Sequence, residues 1–339
     1  MADRGELLTV ADDEVVVWHG PTATRLAGLR PGSPVVVGGI EAVTLPRRGE
    51  LLCRIATVND VHFGEVEAGR MGDGEGQSTF SVPEGAEPYP EVMSRGAVHD
   101  IGAWDPDLVV AKGDLTAGGT MEQYRRFAEV YRGAFGDRLV EVRGNHESYH
   151  GLRVADAPVQ ERELPGVTVA VLDTSRDGRV NGDLDADQLA WLDELGARAD
   201  RPVLVFGHHP VWDAAVEPRT DDTFGLVPDA TDALAAVFGR RRQLLGYFAG
   251  HTHRNRVRHI SISRDVPWVE VACVKDFPGA WAEYRVHEGG LEQVFHRIST
   301  PDALVWTEQT RQMFAGLYAD YAFGELGDRC FTVPAHRPS

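Results

Sequence analysis

Short runs of apolar, often β-branched residues recur through the middle of the chain, each followed by a polar or helical stretch. From Leu51 onward, Leu51–Val58, Leu108–Ala111, Leu139–Val142, Val167–Leu172, Pro202–Phe206 and Leu244–Ala249 read as strands. Between them, Met121–Phe135, Asp185–Ala199 and Ala230–Arg241 carry a helical period. In the second of these, Leu189, Leu192 and Leu195 recur at every third position beside Trp191, which marks one buried face. Strands alternating with amphipathic helices predict an α/β layered domain. Further on, Val269–Val274 reads as another strand. Ala282–His287 and Leu291–Ile298 read as a hairpin joined through Glu288-Gly289-Gly290.

The pattern differs at both ends. In residues 1–50, the runs Val15-Val16-Val17-Trp18 and Val35-Val36-Val37 are separated by Arg30-Pro31-Gly32-Ser33-Pro34, so a small β-rich extension is expected. It is similar to part of a fibronectin-like β-sandwich but too short for a whole one, and an extra sheet packed on the main domain is the favoured reading. The main domain is expected over 51–300. A helical tail should follow over 301–339, with an aromatic-rich helix at Thr307–Tyr321 that packs on the core or contacts a second copy. Two polar stretches, His62 to about Pro90 and Val211–Asp229, do not fit the alternation. Loops of that length inside a domain are usually functional or mobile, and a lid or wall is the expectation.

Composition narrows the picture. Hydrophobic residues make up 42% of the 339 and charged residues 25%, ordinary values for a soluble protein. No apolar run approaches the roughly 20 residues of a membrane span, and no basic stretch followed by an apolar core opens the chain. A cytoplasmic protein is the expectation. The net charge of -18 repels a nucleic-acid backbone, so nucleic acid is not an expected partner. A small anionic substrate is compatible if metal ions invert the local potential. Cys53, Cys273 and Cys330 are scattered and odd in number, which argues against a disulfide framework and for small buried hydrophobes.

The chemistry sits at the strand ends. The five strands beginning at Leu51, Leu108, Leu139, Pro202 and Leu244 run into Asp60-Val61-His62, Gly113-Asp114, Gly144-Asn145-His146-Glu147, Gly207-His208-His209-Pro210 and Gly250-His251-Thr252-His253. In open α/β sheets that edge binds ligands. In Asp-x-His and His-x-His on an extended segment, both side chains point the same way. Carboxylate oxygens with imidazole nitrogens suit Mn, Fe, Zn or Co. Two such ions can activate a water and hold both oxygens of an in-line displacement. The glycines before Asp114, Asn145, His208 and His251 permit tight turns and close backbone approach.

In this order the five motifs resemble the calcineurin-like metallophosphoesterases, over roughly Arg54 to Arg297. The resemblance implies a four-layer αββα sandwich, two mixed β-sheets flanked by helices. It implies two metal ions: Asp60, His62 and His253 on the first, Asn145, His208 and His251 on the second, and Asp114 bridging both. It assigns catalytic roles to His146 and Asp114 and substrate contact to Asn145 and His146, with His146 meeting the leaving oxygen and a metal-bridging hydroxide attacking phosphorus.

The combination of motifs resembles most closely the class III cyclic-nucleotide and glycerophospho-diesterases, so a small-molecule phosphodiesterase is expected. A phosphomonoesterase of the same superfamily is the alternative, and a metal-free binding module on this fold the alternative from another class. A homo-oligomer is possible. Glu147 is expected to orient His146 or pack locally, and His209 is a neighbour of the ligands. His150 is a candidate for the cleft, and His99 and His259 for the surface. Candidate substrate contacts are Trp212, Asp213, Arg219 and Asn255.

Overall fold

The computed structural model describes residues 5–70 and 79–335. Its central strands are apolar on both faces, and alternation along an extended chain decides where each side chain goes. In Leu51–Val58, Ile55 enters one hydrophobic layer while Ala56 and Val58 enter another. Val110 and Val109 divide in the same way. So do Val169 and Val171 against Ala170 and Leu172.

Two six-stranded mixed sheets result. The first runs Phe331–Pro334, Gly290–Arg297, Ala280–His287, Leu51–Val58, Leu108–Lys112 and Leu139–Val142, and the last three strands are parallel. The second runs Arg256–His259, Pro267–Glu270, Leu244–Ala249, Val203–Phe206, Val167–Leu172 and Val159–Leu164, antiparallel only at its two edges. Between the sheets Phe248 packs on Phe206 and Tyr284, with ring centroids 5.3 and 4.8 Å apart. Helices Tyr89–Trp104, Met121–Phe135 and Pro301–Thr310 cover the outer face of the first sheet. Helices Ala186–Arg198 and Pro228–Arg240 cover the second. The fold is the four-layer αββα sandwich expected.

Helix starts follow local chemistry. Thr120 and Asp185 accept from the backbone N–H groups of Gln123 and Gln188, and Pro228 and Pro301 sit in the first turn, where their missing N–H costs nothing. Ahead of the domain, strands Glu6–Val10, Glu14–His19 and Thr22–Ala27 form an antiparallel sheet, and Pro34–Val37 pairs with Ile40–Val43. Val10, Val15, Val17 and Trp18 belong to the same hydrophobic cluster as the inter-sheet residues.

Two expectations need correction. The run Val269–Val274 is a strand only to Glu270. Beyond it Val271 donates to Ala249 of the second sheet and Val274 to Asn59 beside the first, so the chain crosses between sheets there. The helix expected at Thr307–Tyr321 is broken. Pro301–Thr310 ends first, and a second helix begins at Leu317 after Phe314, Ala315 and Gly316 at φ 52°, 57° and 88°. The edge strand Val159–Leu164 and the helix Tyr89–Trp104 were not anticipated. The first is polar at four of its six positions (Gln160, Glu161, Arg162, Glu163), as only an edge tolerates, and the second begins at the edge of the Gly/Pro-rich stretch with Pro90 in its first turn. Residues 71–78 of that stretch lie outside the described residues. Among those described, no helix is long and apolar enough to cross a membrane.

Buried in the first sheet, Glu283 contacts Arg285 and accepts from His296 Nε2 at 2.5 Å. Burial opposes its charge, yet His296 and Arg285 hold its carboxyl below the usual carboxylate range. A depressed folded pKa stabilises above the ordinary value of 4.5, and the contribution disappears as pH falls through the folded value. Urea unfolding from pH 6 down to pH 3 should therefore show Glu283→Gln less stable at the upper end. Its deficit should shrink toward the acid end.

Candidate metal centre

Five strands end at one place. From the first sheet, Val58 leads to Asp60 and His62, Lys112 to Asp114, and Val142 to Asn145 and His146 at the start of the short helix Asn145–Tyr149. From the second, Phe206 leads to His208 and Ala249 to His251 and His253. All seven donors expected from the sequence converge. His253 Nε2 lies 3.3 Å from Asp60 Oδ1, His62 Nε2 3.5 Å from Asp114 Oδ2, and His208 Nε2 3.3 Å from the same oxygen. His208 Nε2 is also 3.0 Å from Asn145 Oδ1, and the His208 and His251 ring centroids are 5.1 Å apart. The His251 backbone N–H donates to Asp60. His146 closes the group, its Nε2 4.0 Å from Asp114 and its ring 4.4 Å from that of His62.

The segments are not extended, as the spacing argument assumed. Asp60, His62, Asp114, His251 and His253 all have left-handed backbones, with φ between 50° and 69°. Such conformations are uncommon for non-glycine residues and persist only where surrounding contacts hold them. The strands therefore coil as they end and aim alternate side chains into one space. Glycine permits the approach: a methyl group at Gly144 would overlap the Asp114 carboxylate, and one at Gly250 would overlap that of Asp60.

Neighbouring acceptors set the imidazoles. A carbonyl can only accept, so His208 donates from Nδ1 to Lys112 O (2.8 Å), His251 from Nε2 to Phe224 O (2.8 Å) and His146 from Nδ1 to Ala117 O (2.6 Å). The opposite nitrogens remain for a ligand, the arrangement metal-binding histidines adopt. His62 Nδ1 lies 3.3 Å from Glu65. Its Nε2 is buried with no hydrogen-bond partner. An orphaned buried nitrogen facing a carboxylate is what a cation ligand requires, so this donor set fits a metal.

The electrostatics agree. Burial opposes ionisation of Asp60 and Asp114, yet His253 and His208 respectively hold them well below the usual carboxylate range. Burial, reinforced by Lys275 and His146, pushes His62 down to about 4; burial with His208 pushes His251 down to about 3. These four are in the protonation state that binds metal. His208 resists burial through Asp114 and is raised to about 9, and His253 is raised through Cys273 and Asp60. A bound cation would displace those protons.

Other expectations change. Glu147 does not touch the His146 ring. It accepts from Thr116 N and Oγ1 and from Gly144 N, each at 2.7 Å, tying the Asp114 turn to the Asn145 turn. His209 is buried beneath the group, with its nitrogens on Thr174 and Val180. His150 is exposed and does not line the cleft, and His99 and His259 are at the surface. Asp213 pairs with Arg256, Arg219 with Asp229 and Asp232, and Trp212 lies under Arg219, so none reaches the cleft. From that stretch Phe224 does instead. Asn255 is buried, binding the carbonyls of Ala322 and Phe323.

The sequence reading missed Asn59, which donates to Asp60 Oδ2 at 2.6 Å, and Glu65, whose position three residues after His62 was a usable signal. All three cysteines are buried, and Cys273 groups with His253 and Asp276.

A model of the calcineurin-like phosphoesterase family matches residues 53–255. A probable glycerophosphodiester phosphodiesterase of Arcobacter nitrofigilis is 27% identical over 168 residues, 44% of this chain and 57% of that protein. A cAMP/cGMP dual specificity phosphodiesterase of Mycobacterium tuberculosis is 34% identical over 152 residues, 40% of this chain and 48% of that one. The chain thus spans about half the length of these relatives. A dimetal phosphatase from Danio rerio superposes with a TM-score of 0.57 at 17% identity, covering 74% of this chain and 98% of that one, a likeness of fold.

Glu147→Gln places an amide N–H against the Gly144 or Thr116 donors. It should weaken metal affinity about 10- to 100-fold while the protein stays folded, as metal titration with circular dichroism would register.

Proposed function

The chain belongs to the calcineurin-like phosphoesterase family, and on that premise we propose that it hydrolyses a small-molecule phosphodiester of the cyclic-nucleotide or glycerophosphodiester kind. The observation that supports this is the gathering of six further oxygen and nitrogen donors with the buried Asp114 carboxylate. Asp60, His62 and His253 would hold one cation, Asn145, His208 and His251 a second, with Asp114 shared. The donor set suits Mn, Fe, Zn or Co. When bound, the two ions supply an activated water and positive charge for the phosphate oxygens.

The remaining work falls to the chain's own groups. His146 Nδ1 is held by Ala117 O, which turns Nε2 toward Asp114 and the cleft. Its side chain is 34% exposed against 3% for Asp114, so a substrate oxygen can reach it. Protonated at Nε2, it donates to the leaving oxygen as the ester bond breaks. Asn145, at the same helix start, orients the phosphate. A cytoplasmic location and a small substrate belong to the same proposal, since a net charge of -18 works against a polyanion.

Metal content and turnover of bis(p-nitrophenyl) phosphate and p-nitrophenyl phosphate, with Mn added, test this reading. Diester turnover should dominate. Monoester turnover far above it would overturn the diesterase reading, and metal-free protein with neither activity would favour a binding module. Asp114→Asn should lose metal and activity together. His146→Ala should keep its metal and slow the hydrolysis of alkyl esters by about 10²- to 10⁴-fold; full rate on such an ester would remove His146 from the reaction.

A further inference from the structure

The cleft over the donor cluster has a volume near 670 Å³, and its two sides differ in chemistry. One side carries the metal-type donors. Beside it stands an apolar group drawn largely from the C-terminal segment: Met313, Phe314, Leu317, Tyr318 and Tyr321, joined by Phe224. Phe224 stacks on His251 with centroids 4.1 Å apart. Three of these side chains are open to solvent, Leu317 at 72%, Phe224 at 48% and Tyr321 at 44%. Scattered single apolar residues on a surface need no explanation, but a group gathered at the mouth of a polar site does.

The segment is also fixed in place. Phe314, Ala315 and Gly316 all have positive φ, a costly run where two members carry side chains. This run separates the helix Pro301–Thr310 from the helix Leu317–Phe323. Tyr321 Oη donates to Thr252 O at 2.9 Å, between His251 and His253. Asn255 N and Nδ2 donate to Ala322 O at 3.0 and 3.1 Å. The wall is therefore bonded to the loop that carries two of the donors.

The cations of the cleft are paired. Lys275 binds both oxygens of Glu65 at 2.7 Å and lies 3.2 Å from Asp276, and Arg70 pairs with Glu67. Among the described residues lining the cleft, neither the lysine nor the arginine is left without an acidic partner.

We propose that Phe314, Leu317 and Phe224 form an apolar subsite for the ester group that stays on phosphorus, selecting diesters in which that group is a flat aromatic or similarly sized apolar body. Phe224 and Tyr321 set this wall against His251 and Thr252, while His146 faces the leaving oxygen. Contact there removes apolar surface of both substrate and wall from water, and that gain scales with the area of the retained group. The inference rests on the diester hydrolysis proposed above.

Two probes share one leaving group, phenyl p-nitrophenyl phosphate and methyl p-nitrophenyl phosphate. On the Mn-loaded protein, kcat/KM for the phenyl ester should exceed that for the methyl ester by about tenfold or more. Leu317→Ser and Phe314→Ser should each bring that ratio toward one, whereas Val305→Ser, on an exposed face outside the cleft, should leave both rates as they were. Turnover of both esters without an aryl preference, or a preference that survives Leu317→Ser and Phe314→Ser, overturns the subsite alone. Inertness toward both esters would instead sink the hydrolytic reading, and this inference with it.

Discussion

The Asp114 carboxylate lies where the two sheets meet and almost no water reaches it, at 2% exposure. An ionised group in such a place is tolerated only when paired and hydrogen-bonded. His62, His208 and His146 surround one of its oxygens and the His146 backbone N–H meets the other. Those partners arrive from three other strand ends, one of them in the opposite sheet. The demands of a single buried carboxylate therefore tie both sheets together at their carboxyl edges.

That constraint explains the tolerance of unfavourable local backbone. Five donor residues hold left-handed conformations that isolated chain segments would avoid. They are held by bonds that cross between segments. Val61 and His62 donate to Asp114 O, Gly250 N to His208 O, and Glu147 links Gly144 to Thr116. Lys112 adds a deeper tie, its buried ammonium donating to Ala249 O on the other sheet. Burial pushes that ammonium down to about 7, so the bond is kept at the expense of charge. Such a scaffold fixes its donors through contacts of the protein itself, which is what a site of this kind needs.

The ends of the chain take up the surfaces that the sandwich leaves. The N-terminal strands carry Val15, Val17 and Trp18 into the inter-sheet cluster, and Thr9 bonds Phe295 O at 2.6 Å. The C-terminal segment first covers the outer face of the first sheet through Ala303 and Trp306. It then passes the cleft and returns as strand Phe331–Pro334 at that sheet's edge. A single excursion thus connects core packing with the composition of the cleft's apolar wall.

Much of this was legible from sequence because its signals are local. A strand apolar on both faces reads as a short continuous run, and a donor one or two residues past its end reads as a motif, so Asp60, His62, Asp114, Asn145, His208, His251 and His253 could all be named in advance. Their shared order along the chain carried further weight, since the five motifs that hold them each followed a separate strand. What stayed hidden depends on residues distant in sequence. Glu147 was expected to orient His146 or to pack locally; it does bond Gly144 in its own turn, but its other partner, Thr116, lies on the distant Asp114 turn. Trp212, Asp213 and Arg219 were polar or aromatic enough for a cleft but found partners elsewhere, and Phe224 reached the site with both its ring and its carbonyl on His251, a contact set by distant parts of the chain. The helical period of Thr307–Tyr321 concealed a break at Phe314–Gly316, because a left-handed turn held by tertiary contacts leaves little trace in apolar spacing. Sequence alone determined which chemistry gathers at the strand ends, since residue type and strand position are encoded locally; tertiary structure decided what faces that chemistry, since contacts across the fold select one conformation among many that the local chain allows.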